Sequence, residues 1–215
     1  MAAWHGRPDI ASVALQWRGA PSLAAVGALL NQLREAGYRE VITNALAPGA
    51  SLPLVDSGFE IRGRLHLLSH DLESLPTLTG RTRRARGADR EALLRVDTAA
   101  FDEFWQLDAV GLEQAARATP RSHTRVTRGE SVVGYALFGR VDNVGYVQRL
   151  AIRPKAQGRG LGPALLTDGL RWLRVHNARS AFVNTQVENE RALRLYERVG
   201  FRRMPVGLCV LGRTL

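Results

Sequence analysis

The chain carries a single cysteine, Cys209, and a single lysine, Lys155. One thiol excludes an internal disulfide framework and fits a reducing, cytoplasmic setting. Five histidines lie scattered with no zinc-ligand spacing, so no structural metal is expected. Long apolar runs are missing too. The longest candidate, Leu23 to Leu30, makes about two turns of helix, far short of a membrane span. The first residues, M-A-A-W-H-G-R-P, lack the charged start and apolar block of a secretory signal. What is there is ordinary globular material: 215 residues, 45% of them hydrophobic, enough for one large domain or a domain with a smaller companion. The net charge is +10, and of the 30 basic residues all but Lys155 are arginine. Such an excess favours an anionic partner, whether nucleic acid, a ribosomal surface or the phosphates of a cofactor. The ratio of Arg to Lys itself is better explained by the codon usage of a GC-rich genome.

A turn-rich basic stretch, Ser69 to Arg86, separates two segments, with Pro76 and Gly80 interrupting any regular element. The run Arg81, Arg83, Arg84, Arg86 alternates as a short strand would. Beyond Gly87 the periodicity predicts a helix capped by Asp89 and reaching Ala100, then a second over Leu107–Ala118. Strands are expected over Ser122–Thr127 and Ser131–Phe138, joined by a turn at Arg128-Gly129-Glu130, and over Gly145–Ile152. A helix over Leu161–His176, a strand over Ala181–Val187, a helix over Asn189–Val199 stopped by Gly200, and a last strand over Val206–Leu211 complete the pattern. The fold class is α/β with a mixed sheet. An internal repeat appears at an offset of 142: Phe59 meets Phe201, Gly58 meets Gly200, Ala50 meets Ala192, Thr43 meets Thr185 and Val41 meets Val183. Ala47 then stands opposite Asn189, Leu54 opposite Tyr196, and W-R-G-A opposite the later glycine loop. The first copy keeps a scaffold without the polar groups, as a degenerate, noncatalytic half-domain would.

Leu150 to Leu166, L-A-I-R-P-K-A-Q-G-R-G-L-G-P-A-L-L, is the most informative stretch. A buried strand ends at Pro154, and a glycine-rich turn feeds directly into a helix. Glycines admit a ligand close to the backbone, and the unpaired N–H groups of the first helical turn, with the helix dipole, make a pyrophosphate seat. A nucleoside-triphosphate loop would end in Gly-Lys-Ser/Thr, but Gly162 is followed by Pro163 and Ala164. A dinucleotide fingerprint needs G-x-G-x-x-G, and these glycines stand at 158, 160 and 162. Both rivals fail.

The spacing Q-x-x-G-x-G at Gln157, Gly160 and Gly162, after the strand Leu150-Ala151-Ile152, resembles the acyl-CoA signature of the Gcn5-related N-acetyltransferases, the GNAT family. The helix N-E-R-A-L-R-L-Y-E-R-V-G-F, Asn189 to Phe201, is similar to that family's N-x-x-A-x-x-L-Y-x-x-x-G-F. The resemblance covers Arg81 to the end. It implies a catalytic GNAT domain over 81–215, preceded by the half-domain over 1–75 and a linker at 76–80. It also implies acetyl-CoA as co-substrate. The backbone of Leu150, Ala151 and Ile152 would pair with the pantetheine arm as an added strand. The amides of Gln157, Gly158, Arg159, Gly160, Leu161 and Gly162 would face the pyrophosphate, Pro163 having none to give. Asn189 would hydrogen-bond the pantetheine, and Tyr196 would protonate the departing thiolate. A phenol of reference pKa about 10 is the right acid for a thiolate whose conjugate acid lies near 8.5. Arg159 either meets a phosphate or is solvated.

The general base is not evident. In the branch acting on ribosomal-protein N-termini, a glutamate stands five positions before the helix asparagine, and here that position is Asn184. Gln148 and Arg149 cannot take its place. The remaining carboxylates are Asp102, Glu103, Asp108, Asp142 and Glu188, with Phe101, Phe104 and Trp105 lining a pocket or belonging to the core. Deprotonating a lysine at pH 7 costs about 4.6 kcal/mol, against about 1 kcal/mol for an α-amine. A site without a base therefore favours an α-amine or a weakly basic small amine. Mycothiol synthases share a tandem plan, but the first copy here is shorter and lacks the loop. A silent acetyl-CoA sensor, or a module holding RNA on its basic face, is the alternative.

Overall fold

The computed structural model describes residues 2–4, 7–14, 22–77, 80, 82–127 and 129–215. In chain order the elements begin with strands β1 (Ala2–Trp4) and β2 (Arg7–Val13), helix α1 (Leu23–Glu35), β3 (Glu40–Thr43), α2 (Pro48–Asp56) and β4 (Glu60–His70). There follow β5 (Thr82–Arg84), α3 (Arg90–Ala100), α4 (Ala109–Arg117), β6 (Arg121–Thr127), β7 (Gly134–Val141) and β8 (Val144–Ile152). The last elements are α5 (Leu161–Val175), β9 (Ser180–Gln186), α6 (Glu190–Val199), β10 (Arg202–Arg203) and β11 (Leu208–Thr214). They fall into two compact units, one of residues 1–67, 184–189 and 204–215, the other of 68–183 and 190–203.

In the first unit β1 pairs antiparallel with β2, β2 parallel with β3, and β11 antiparallel with both β3 and β4. Val26, Leu30 and Leu33 of α1 recur at helical spacing and close over Ala11, Val13, Val41, Leu54, Phe59 and Leu211. The expectation placed the last strand in the second domain. It belongs to the first unit instead, because Leu211 is fully buried there and its N–H donates to the buried Thr43 hydroxyl at 3.0 Å. W-R-G-A and Arg128 lie outside the described residues, as does Arg81 of the expected basic strand.

In the second unit the order is β5-β6-β7-β8-β9, antiparallel from β5 to β8 and parallel between β8 and β9. Two residues of β10 pair with Leu68 and Ser69 of β4. Helix α5 covers one face, where Leu165, Leu166, Leu170 and Leu173 pack on Phe138, Val147 and Ala181. Helix α3 covers the other, Leu93 and Val96 lying on Val126, Tyr135 and Ala151. Asp89 does not cap α3. Its carboxylate is taken by the Arg83 guanidinium at 2.7 Å and by the Arg86 N–H at 2.7 Å, and the Arg83 bond holds its pKa down to about 2. The helix start is thereby tied to the edge strand.

Close approach of α5 to β7 depends on Gly169, since a Cβ there would run into the Phe138 ring. Gly169→Ala is expected to destabilise the chain by about 1–3 kcal/mol in urea unfolding, the usual range for an overfilled core. A change below about 0.5 kcal/mol would mean that the helix moves off the sheet at little cost.

Candidate functional site

The site begins where two parallel strands separate. β8 and β9 pair only at Val144, Gly145 and Tyr146 with Ser180, Ala181 and Phe182. Beyond Tyr146 the β9-facing edge of β8 has no strand beside it among the described residues, while its other edge continues along β7 as far as Ile152. Leu150, Ala151 and Ile152 thus present one unpaired backbone edge, the arrangement an extended chain completes as an added strand. A bulge accompanies the divergence: Val147 faces Phe138 and Arg149 faces Leu137, leaving Gln148 without a partner residue. Bulges re-aim side chains. From here Leu150 and Ile152 pack towards the α5 core, Ala151 joins the α3 core, and Arg149 also turns to α3.

After Ile152 the chain makes a short turn of 3₁₀ helix, Pro154–Ala156, braced by the Gln157 side chain donating to the Ile152 carbonyl at 2.9 Å. The Gln157 N–H donates to the Pro154 carbonyl at 3.2 Å. Gln157 therefore shapes the loop, and its amide is already committed. Among the described residues the N–H groups of Gly158, Arg159, Gly160, Leu161 and Gly162 have no acceptor. Gly158 and Gly160 hold φ at +80° and +74°, in the left-handed region that L side chains avoid. Gly160 is the residue before α5, with no side-chain cap and no acidic residue in the first turn. The positive end of a 15-residue helix is left bare. Gly162 serves a second purpose, since a Cβ there would stand 2.9 Å from Leu195 of α6. Arg159 is exposed.

Tyr196 sits on the inner face of α6 with Leu193 and Val199, 6% exposed and edge-on to Phe201 at 5.7 Å. Burial pushes its phenol pKa up, and the charge of Arg149 opposes that rise. The phenol therefore keeps its proton at neutral pH. Asn189 precedes α6 directly, exposed, its N–H donating to the Gln186 carbonyl at 3.0 Å. Asn184 and Glu188 are exposed.

Sequence reasoning missed a buried ionic cluster on the α3 side. Asp97, fully buried, accepts from Arg149 Nε at 2.8 Å, Arg149 Nη2 at 2.7 Å, the Tyr135 hydroxyl at 2.5 Å and the Leu107 N–H at 2.7 Å. Arg149 Nη2 also donates to the Trp105 carbonyl at 2.6 Å, and the guanidinium lies 3.5 Å from the centre of the Phe101 ring. Burial beside Asp97 pushes the Tyr135 pKa up as well. A signal was present in the sequence: Asp97 stands four residues after Leu93, on the apolar face of α3. Asp102 and Glu103 are exposed, Asp108 caps α4 through the Gly111 N–H at 2.7 Å, and Asp142 occupies the β7–β8 turn. Phe101, Phe104 and Trp105 are half-buried, Phe104 and Trp105 edge to face. Among the described residues no cluster of His, Cys, Asp or Glu could hold a metal, and no helix is long and apolar enough to cross a membrane.

A parallel strand pair that splays apart, feeding a glycine turn and an uncapped helix, defines a mixed-sheet α/β protein. The chain belongs to the acetyltransferase (GNAT) family, whose sequence profile matches residues 90–201. Among curated proteins it is 32% identical over 196 residues to a mycothiol acetyltransferase of Thermomonospora curvata, covering 83% of this chain and 66% of that one. To a mycothiol acetyltransferase of Streptomyces scabiei it is 40% identical over 76 residues, 34% of this chain and 25% of that protein. The chain thus spans less than two thirds of these relatives. Among solved structures a GCN5-related N-acetyltransferase of Sphaerobacter thermophilus shares the fold with a TM-score of 0.65 at 18% identity, covering 98% of this chain and 74% of that one. A tandem GNAT protein from the clavulanic acid biosynthesis pathway has a TM-score of 0.65 at 11% identity, over 89% and 69% of the two chains.

Proposed function

We propose that the chain transfers an acetyl group from acetyl-CoA to an amine, and that the five consecutive unpartnered amides from Gly158 to Gly162 seat the coenzyme's pyrophosphate. Those amides carry the proposal, because a run of donors at a bare helix start has an anion as its natural complement. The pantetheine arm would lie along Leu150, Ala151 and Ile152. The amine nitrogen attacks the thioester carbonyl, the C–S bond breaks, sulfur takes the Tyr196 proton, and the amine's proton leaves through water. The acceptor class is an α-amine or weakly basic small amine, and the names of the curated relatives make a mycothiol-type acceptor the first to test. The single cysteine supports a cytoplasmic setting.

Titration calorimetry with coenzyme A tests the seat. Gly160→Asp sets a carboxylate beside the diphosphate, at a left-handed backbone (φ +74°) that aspartate adopts at less cost than most side chains. It is expected to weaken binding by about 100-fold or more, as like charges about 4 Å apart should. An unchanged Kd would remove these amides from the coenzyme site.

We also infer that residues 1–75 are a degenerate, noncatalytic copy of this half of the fold. Three features support it. β2, α1, β3 and α2 repeat the order of β8, α5, β9 and α6, each strand pair being parallel. Helix α2 ends with Gly58 N–H on Val55 and Phe59 N–H on Leu54, and α6 ends with Gly200 on Glu197 and Phe201 on Tyr196. The start of α1 is already filled by the Ser22 hydroxyl, which accepts from the Ala25 N–H at 3.2 Å. Self-capping leaves that helix no anion to seek.

A second function, RNA held on a basic face, draws support from a crevice of about 650 Å³ lined by Arg140, Arg174 and Arg179. Binding of RNA that weakens steeply with salt, together with no thiol release on any amine, would favour it.

A further inference from the structure

His70, where β4 ends, is a buried titratable group that the reaction above does not use, only 3% exposed. Both of its ring nitrogens are committed. The Leu72 N–H donates to Nδ1 at 2.8 Å, so that nitrogen carries no proton. The ring's proton then stands on Nε2, which donates to the carbonyl of Val199, the last residue of α6, at 3.3 Å. No charged ring makes both bonds. What the ring holds is strained: Leu72 has φ +61°, a left-handed backbone that an L side chain avoids. Its own side chain is 2% exposed and lies in one apolar core with Leu193, Tyr196, Val199 and Phe201. The imidazole meets Phe201 edge-on at 5.2 Å, as Phe201 meets Tyr196 at 5.7 Å. Gly200 leaves room for it, since a Cβ there would stand 2.9 Å from Nε2.

We propose that His70 is a positioning residue for the end of α6 that carries Tyr196, and that its neutral ring is an acid-sensitive latch. This rests on the role proposed above for Tyr196 and adds a control over it. A proton on Nδ1 turns an acceptor into a donor, which then faces the Leu72 N–H, a donor too. That bond is lost. The Asp71 carboxylate, 3.7 Å from Nδ1, is in place to accept the new N–H, and its Oδ1 already accepts from the Glu73 N–H at 3.0 Å. The segment from His70 to Glu73 thus has a second set of bonds ready. Released from the ring, Leu72 leaves its left-handed backbone, and its side chain leaves the core beneath Tyr196. Burial lowers the His70 pKa below the ordinary 6.5; the Val199 carbonyl and Asp71 raise it, and Arg202 of β10 lowers it. An unfolded chain takes up this proton near pH 6.5 and the folded chain only at lower pH. The latch therefore contributes fully above that pH, and its contribution is lost as pH falls through the folded pKa.

The test sets wild type against His70→Asn, whose side-chain oxygen can accept the N–H two residues on, as in an Asx turn, and cannot titrate. Nitrogen shifts of the wild-type imidazole should show the proton on Nε2 at neutral pH, with a titration midpoint below 6.5. Between pH 6.5 and that midpoint, the wild-type folding constant in urea should fall about tenfold more per pH unit than that of His70→Asn. One pH unit below the midpoint about a tenth of the rings are neutral, so wild-type kcat should lie about tenfold below the variant's. The Kd for coenzyme A should differ by less than about 3-fold, since the pyrophosphate seat is untouched. His70→Gln, which leaves Leu72 without its acceptor, should lose kcat at neutral pH and show no ring titration. A proton found on Nδ1, a midpoint at or above 6.5, or equal pH dependence in wild type and His70→Asn overturns the latch and leaves the acetyltransferase function standing. The first two are read on the wild-type chain, so they decide even where a variant fails to fold. If wild type binds no coenzyme A, that function falls, and the ring's tautomer with the stability difference decides the latch.

Discussion

Asp97→Ala is expected to lower the stability of the chain by about 3–5 kcal/mol in urea unfolding, the largest effect of any single side chain outside the apolar core. The carboxylate it removes is fully buried and accepts four hydrogen bonds, two of them from a guanidinium that is itself only 12% exposed. Without Asp97 the Arg149 charge remains in the interior with the Trp105 carbonyl and the Phe101 ring for company. Tyr135 loses its acceptor in the same step. The cost is the penalty of a stranded charge, distinct from the net worth of the pair, which is much smaller. The double substitution Asp97→Leu with Arg149→Met is therefore expected to recover at least about half of the loss, since both desolvation penalties vanish together. Tyr135→Phe, which takes away one hydroxyl and leaves the ion pair, should cost about 1–2 kcal/mol. If Asp97→Ala unfolds within about 1 kcal/mol of wild type, the pair does not hold α3 to the sheet.

The same cluster marks where reading the sequence stops. Everything that follows from local chemistry was legible. The elements from α3 to α6 stand within a few residues of where periodicity puts them, because their apolar faces and turn residues act over a few positions. Gly158 and Gly160 stood out as a turn into a helix, and both prove to hold positive φ. What depends on long-range pairing was not legible. Asp89 has the type and place of a helix cap, yet Arg83 takes its carboxylate across the edge strand. Arg149 by its type offers no base, and its meaning emerges only when α3, 52 residues earlier in the chain, brings Asp97 to it. Gln157 matches the family motif, but its amide closes a 3₁₀ turn and its side chain ties the loop to β8. The final strand reads as the end of the second domain, and its true partners, β3 and β4, could not be chosen from an alternating pattern common to every half-buried strand. Gly162 fits a phosphate loop by spacing alone, while its want of a side chain also answers to Leu195.

Tyr196→Phe separates the acid from the core residue, since the two roles of Tyr196 make opposite demands. As packing, the ring is nearly all that matters: it lies in the apolar core and meets Phe201 edge-on, so removal of the hydroxyl should change stability by less than about 1 kcal/mol. As an acid the hydroxyl is everything, and kcat is expected to fall by about 10²- to 10⁴-fold with the Kd for coenzyme A changed by less than about 3-fold. The pH dependence follows from the sign of the shift. Burial disfavours the phenolate and raises the pKa above its ordinary value, so the acid keeps its proton through neutral and moderately alkaline pH. Rate should therefore rise with pH as the acceptor amine loses its proton, with no descending limb from Tyr196 until well above pH 10. The Phe variant should run parallel to the wild type and far below it. A thioester with a more acidic thiol needs less help in departing, and with such a donor the gap between the two should narrow by about tenfold. A kcat within about 3-fold of wild type with acetyl-CoA, or a gap indifferent to the leaving thiol, would return Tyr196 to the core and leave the proton to water.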